Sequence, residues 1–268
     1  MTGVERIAAA FESARADGLG AALMPYLMGG FPDLERSLEI GRACARAGGT
    51  LVELGLPFSD PLADGPVIHA AGTAALRAGV TLARVLELAS ALCGEIPVVL
   101  MCYANPILRR GPERFAEELA RTGASGLIVP DLPLEEADAV LRACDERGLA
   151  LVPLVAPTTP ESRLKQIGRH ARGFLYAVSV TGTTGERAGL DGSLPALLRR
   201  VAVHTDVPVA VGFGIATPDQ ARAAADAGAQ GVIVGSRLVR AAGEAEDPAA
   251  AVDALLVEFL AALRANGR

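Results

Sequence analysis

The stretch VPVAVGFGIATPDQARAAADAGAQGVIVGS, Val207 to Ser236, contains one full cycle of a repeating plan. It opens on the apolar run VPVAVGFG and closes on another, GVIVGS. Neither run alternates apolar with polar residues, as a strand with one wet face would. Both read as strands covered on two sides, which is the habit of parallel sheets. Between them TPDQARAAADAGA carries its apolar residues at helical spacing. Thr217 is the expected N-cap of that helix and Pro218 its first residue.

The same cycle recurs outward in both directions. Earlier apolar runs are AALMPYLMGG, TLVELGLP, PVVLMCYA, GLIVPDLP, ALVPLVAP and GFLYAVSV. The amphipathic segments between them include DLERSLEIGRACARAG, GPERFAEELARTG and LEEADAVLRACDERG. Several start on Asp, Ser, Thr or Pro and stop on Gly, the usual helix signals. Strand and helix therefore alternate eight times, at roughly thirty residues per unit, which predicts an α/β fold of the (β/α)8 TIM-barrel type. A further helix, about residues 3–16, precedes the first strand. No linker or composition break divides residues 1–268, so a single TIM-barrel domain is expected. The rival, an open doubly wound sheet, normally offers GxGxxG after its first strand. Here that strand ends LMGGFPD.

Composition narrows the function. The formal charge of −6 argues against a nucleic-acid backbone as partner. Cys44, Cys93, Cys102 and Cys144 are scattered and read as buried thiols of a reducing compartment, hence a cytoplasmic location. The N-terminus mixes Glu5, Arg6, Glu12 and Arg15 into its apolar residues, unlike a signal peptide. No apolar run approaches the ~18 residues of a membrane span.

A barrel of this kind carries its site at the C-terminal ends of the strands. Those ends offer Tyr26, Met28, Glu53, Tyr103, Asn105, Asp131, Tyr176 and Ser179. Glycines follow the last strands in VGFGIATPDQ and VGSRLVRAAG. Gly214, Gly235 and Ser236 suit a phosphate site, because glycine lets backbone N–H groups approach an anion and a helix N-terminus adds positive charge. Any one of them alone would serve equally as a strand-to-helix turn, but two such loops after the last two strands favour the phosphate reading. Glu53, between Val52 and Leu54, is a carboxyl inside an apolar strand. Such a group is costly unless it is hydrogen-bonded to a neighbour or functional, and burial suits it to acid–base work. Asp60 and Asp64 lie on the following loop among Pro57, Pro61, Gly65 and Pro66. Local chemistry does not rank the two, since either can serve as a turn residue.

Elimination leaves acid–base chemistry on a phosphorylated substrate. The single lysine, Lys165, falls on the helix after the fifth strand, away from any Schiff-base position. His69, His170 and His204 follow different strands and suggest no metal cluster. Tyr26, Ile68, Met101, Tyr103 and Tyr176, read as strand ends, suggest a flat, apolar substrate.

The segments ELGLPFSDPLADGPVI, YLMGGFPD, MCYANPIL, VPDLPLEE, SVTGTTG, VGFGI and VIVGSRLV, in this order, closely resemble the tryptophan synthase alpha chain family. The resemblance runs from about residue 20 to 240. It implies a lyase of tryptophan biosynthesis that cleaves indole-3-glycerol phosphate to indole and glyceraldehyde 3-phosphate. Carried over by motif, the catalytic carboxylates are Glu53 and Asp64. The substrate would meet Tyr26, Ile68, Met101, Tyr103, Ile128, Tyr176, Thr184, Gly185, Phe213, Gly214, Gly235 and Ser236. Phe58 and Asp60 would face the partner, a beta chain that carries pyridoxal phosphate, in an alpha2-beta2 tetramer. No cofactor and no metal are implied in this chain itself. His69, Thr183 and Glu186 stand where the family often differs. The alternatives are a phosphate-binding barrel acting mainly as an allosteric subunit, or another barrel enzyme of indole or sugar phosphates. Intact Glu53 and Asp64 speak against the first.

Overall fold

A computed structural model describes residues 1–178, 194–212 and 214–264. Its strands are β1 (Ala22–Met28), β2 (Val52–Gly55), β3 (Val98–Met101), β4 (Gly126–Ile128), β5 (Ala150–Val152), β6 (Leu154–Val155), β7 (Leu175–Val178), β8 (Val209–Gly212) and β9 (Gly231–Val234). All their pairings are parallel, in the order β5-β4-β3-β2-β1-β9-β8-β7-β6. The two ends of that order are adjacent in sequence, separated by Pro153 alone. β5 and β6 are thus two pieces of one expected strand, interrupted where proline has no N–H to give the ladder. The carbonyl of Pro153 still accepts from Tyr176 N–H at 3.0 Å, carrying the pairing across to β7. The result is the expected (β/α)8 barrel.

The helices are α1 (Gly3–Ala16), α2 (Leu34–Ala47), α3 (Pro66–Arg77), α4 (Leu82–Leu92), α5 (Ala104–Arg110), α6 (Pro112–Arg121), α7 (Asp138–Asp145), α8 (Glu161–His170), α9 (Leu194–Ala202), α10 (Pro218–Asp226), α11 (Ser236–Glu244) and α12 (Pro248–Leu263). Thr217 caps α10, with Pro218 at its first position and Gln220 completing a capping box. The sequence expectation missed the second helix of the β2–β3, β3–β4 and terminal connections, namely α4, the separate α5 and α12.

Side-chain parity divides the interior into two layers. Leu23 and Leu27 of β1 face outward to the helices, while Ala22, Met24, Tyr26 and Met28 face the lumen. The lumen layer continues through Val99, Ile128, Ala150, Val152, Phe174, Tyr176, Ala210 and Ile233. On β2, Val52 and Leu54 belong to the outer layer and Leu51 to the lumen. The same alternation turns Glu53 inward. At the lower end α1 inserts Ile7, Phe11 and Ala14 into the lumen layer. The ring of Phe11 meets that of Phe174 at 6.1 Å. Arg6 of α1 donates to the carbonyls of Cys93 and Gly123, holding α1 to the ends of α4 and α6.

Helix α8 approaches the segment after α9 closely enough that a Cβ at Gly168 would overlap the carbonyl of His204. Gly168→Ala should therefore destabilise the fold by about 1–3 kcal/mol, the usual cost of overpacking. The check is the thermal midpoint, and an unchanged midpoint would show that α8 and α9 part freely.

Candidate active site

Glu53 lies at the centre of the upper lumen. It is 0% exposed, and neither carboxylate oxygen has a hydrogen-bond partner among the described residues. The reading of Glu53 as a hydrogen-bonded structural residue is not what these residues show. Burial holds its pKa well above the ordinary carboxyl value. Tyr26 stands beside it in register on β1. The Tyr26 hydroxyl lies against Gly55 and the Tyr176 hydroxyl against Gly212, where a Cβ on either glycine would overlap the phenol. These two glycines admit the phenols by having no side chain. Ile128 of β4, paired with Met101 of β3, continues the lumen wall. Met101, half-buried at the tip of β3, and Tyr103 complete that side. Ile68, read from sequence as a strand end, is instead in the first turn of α3, buried and turned into the lumen layer. The Pro66 that starts α3 is what brings it there.

Asp64 sits at the end of the β2–α3 loop, just before Gly65, the N-cap of α3. The Tyr103 hydroxyl donates to Asp64 Oδ1 at 3.0 Å and accepts from Ala63 N–H at 3.0 Å. Burial raises the Asp64 pKa, and the Tyr103 hydrogen bond and His69 pull it partly back. Asp60 is exposed and accepts from Ser59 Oγ at 2.5 Å. Phe58 is half-buried, its ring stacked on Tyr103 at 5.3 Å. The structure thus separates the two loop aspartates that local sequence left unranked: Asp64 turns to the lumen side and Asp60 to solvent. Asp131 proves to be a helix cap, its Oδ1 accepting from Ala104 N–H at 2.8 Å at the start of α5.

Gly235 is the N-cap of α11, and Ser236 begins that helix directly above β9. Gly214, above β8, has φ of +90°, a left-handed conformation suited to glycine. Thr184, Gly185 and Phe213, with Thr183 and Glu186, lie outside the described residues. Among the described residues no group of three or more His, Cys, Asp or Glu is placed to hold a metal ion.

The arrangement pairs a buried carboxyl that favours its protonated form with a second carboxyl aimed by a phenol. Aromatic and aliphatic walls surround both. Glycine turns and a helix N-terminus stand at the rim.

Known proteins of the same build point one way. The sequence profile described as tryptophan synthase alpha chain matches residues 11–265. A tryptophan synthase alpha chain of Synechococcus sp. (strain CC9902) is 52% identical over 236 residues, covering 87% of each chain. That of Methanosarcina mazei is 48% identical over 242 residues, covering 90% of this chain and 88% of the relative. A solved Mycobacterium tuberculosis tryptophan synthase chain superposes with a TM-score of 0.91 at 40% identity, covering 97% of this chain and 99% of that one. A chain of the tryptophan synthase a2b2 complex from Pyrococcus furiosus superposes at 0.85 with 36% identity, covering 91% and 99%. Matched along almost its whole length in both sequence and fold, this chain belongs to the tryptophan synthase alpha chain family.

Proposed function

We infer that the chain, acting as a single barrel domain, is a lyase of tryptophan biosynthesis that cleaves indole-3-glycerol phosphate to indole and glyceraldehyde 3-phosphate. The observation that carries this reading is the unpartnered, buried Glu53 in an aromatic lumen, next to a hydrogen-bonded Asp64. Breaking the bond between indole C3 and the glycerol chain requires a proton on C3. Glu53, held protonated by burial, gives that proton. The adjacent side-chain hydroxyl then loses its proton to Glu53 as the carbon–carbon bond breaks and the aldehyde forms. The bonding electrons return to the indole ring, and Glu53 ends as it began. Positive charge develops on the indole nitrogen while C3 is protonated. Asp64, accepting the ring N–H, stabilises that charge more in the transition state than in the ground state. Tyr26, Ile68, Met101, Tyr103, Ile128, Tyr176 and Phe213 wall the indole and glycerol parts. Gly214, Gly235 and Ser236, with Thr184 and Gly185, hold the phosphate.

The partner in this reading is a tryptophan synthase beta chain bearing pyridoxal phosphate, in an alpha2-beta2 tetramer; this chain needs no cofactor or metal of its own. The mouth of the barrel supports a docking role. Leu62, on the β2–α3 loop, is 77% exposed and Leu108, on α5, 63% exposed, apolar side chains that a docked partner would cover. A cytoplasmic setting fits the four buried free thiols, and no helix among the described residues is long and apolar enough to cross a membrane.

The deciding experiment is indole release from indole-3-glycerol phosphate, with and without a beta chain. Slow release alone and a raised kcat with the partner are expected. Absence of release in both would overturn the reading. Asp60→Ala should keep most of the basal rate and blunt the activation. If it instead loses basal activity as fully as Asp64→Ala while the remainder is activated normally, Asp60 has no coupling role.

A further inference from the structure

Tyr103 belongs to a different element from the loop it grips. It is the N-cap residue of α5, 4% exposed, and its neighbour Ala104 is tied by Asp131 to the end of β4. From that fixed base it touches the β2–α3 loop at three points. Its ring stacks on Phe58 at 5.3 Å and 27°. Its hydroxyl accepts from Ala63 N–H and donates to Asp64 Oδ1, each at 3.0 Å. A phenol has one proton to give, and here Asp64 receives it. The ring remains available as pocket wall, but the hydroxyl's donor is already engaged.

The prolines of the loop limit its backbone, yet they do not choose a rotamer for Asp64. Only the Tyr103 hydroxyl, among the described residues, holds that carboxylate by a side-chain hydrogen bond. A reacting or stabilising group displaced by about 1 Å can cost about 100-fold in rate. Resting on the cleavage reading, we propose that Tyr103 is a positioning residue that aims Asp64 and transmits to it any displacement of Phe58. The route from the exposed face to the site therefore runs sideways through the β3–α5 corner, not only along the proline-rich loop. It gives docking at Phe58 a mechanical connection to Asp64.

The test is steady-state cleavage by the full-length chain carrying Tyr103→Phe, Asp64→Asn, or both. Tyr103→Phe keeps the ring and its stacking, so the fold is retained. Its kcat should fall about tenfold or more, the loss expected for a hydrogen bond to a charged group, with KM little changed. The acid limb of kcat/KM should move to higher pH, because the bond that pulls the Asp64 pKa down is gone. In the Asp64→Asn background the same change should have little further effect. Multiplying effects with an unmoved acid limb would overturn the proposal. Phe58→Leu should weaken beta-chain activation in the otherwise native chain and not in the Tyr103→Phe chain; additive losses would remove Phe58 from the route. A carbon-13 titration of the Asp64 carboxyl reads the same contact without turnover. A higher pKa in Tyr103→Phe supports the aim, and an unchanged one refutes it. If the native chain released no indole, that titration would still decide the role of Tyr103, while the cleavage reading would fall separately.

Discussion

Glu53→Gln should leave a folded protein that binds substrate but turns it over about 1,000-fold more slowly or worse, the scale of a lost acid–base group. Gln keeps the size of the side chain and loses the proton that C3 needs. A variant retaining a tenth of the native kcat would end the assignment. The same substitution makes a second, independent forecast for stability. An unfolded Glu titrates near about pH 4.3. The folded carboxyl titrates well above its ordinary value because it is buried. Between the two values the folded state holds a proton that the unfolded state has released, so the native protein loses stability as pH rises. Gln has no such dependence. Glu53→Gln should therefore gain on the parent as pH climbs above about 4.3, and the difference between the two should be constant below it. Denaturant midpoints across a pH series measure this. A gap that narrowed with rising pH would mean that the carboxylate is charged and partnered in the native state.

Gly235→Asp should abolish phosphate recognition without harming the fold. The backbone at Gly235 has φ of −117°, which other residues can adopt, and a Cβ there would meet Tyr26 Cβ at an ordinary 3.5 Å. With ψ of −82° that backbone is not the extended conformation from which an Asp side chain caps a helix, so the substitution acts through its charge. The new carboxylate would occupy the place proposed for the anion. Like charges about 4 Å apart repel by about 4 kcal/mol at an effective dielectric constant of about 20. Glycerol phosphate affinity, measured by calorimetry, should fall on the order of 100-fold or more on that scale. A cooperative thermal transition, showing a retained fold, is expected alongside. Undiminished affinity would place the phosphate elsewhere.

Much of this architecture could be read from the residues, for identifiable reasons. The staves of the barrel are covered on both faces, so GVIV or VVLM stands out as continuous apolar sequence. Glu53 was conspicuous because a carboxyl in such a run must have a purpose. Thr217 and Pro218 showed a helix start because capping is local chemistry. What escaped was non-local. The split at Pro153 depends on how a strand closes onto its neighbour across the barrel. Ile68 was placed at a strand end because its helix starts abruptly after the loop. Asp131 looked like a site acid until its partner, a backbone N–H twenty-seven residues away in sequence, was known. Local chemistry could not rank Asp64 over Asp60, which the resemblance alone did from sequence; the contact that separates them comes from Tyr103, thirty-nine residues downstream of Asp64. Neither contact leaves a mark in local periodicity. The roles of Thr184, Gly185 and Phe213 fall outside the described residues.

Helix α1, with Ile7, Phe11 and Ala14 seated in the lumen layer, has a consequence for traffic. The barrel is a cul-de-sac, not a corridor. Among the described residues the lower end is closed to Glu53, so access is from the upper rim. On the proposed reaction, indole and glyceraldehyde 3-phosphate would then leave from the same end of the barrel. If the phosphate sits at the rim glycines, as proposed, glyceraldehyde 3-phosphate is the molecule nearer the way out. A neighbour placed to collect indole directly would be stationed at that upper end, where the β2–α3 loop carries Phe58 and Leu62.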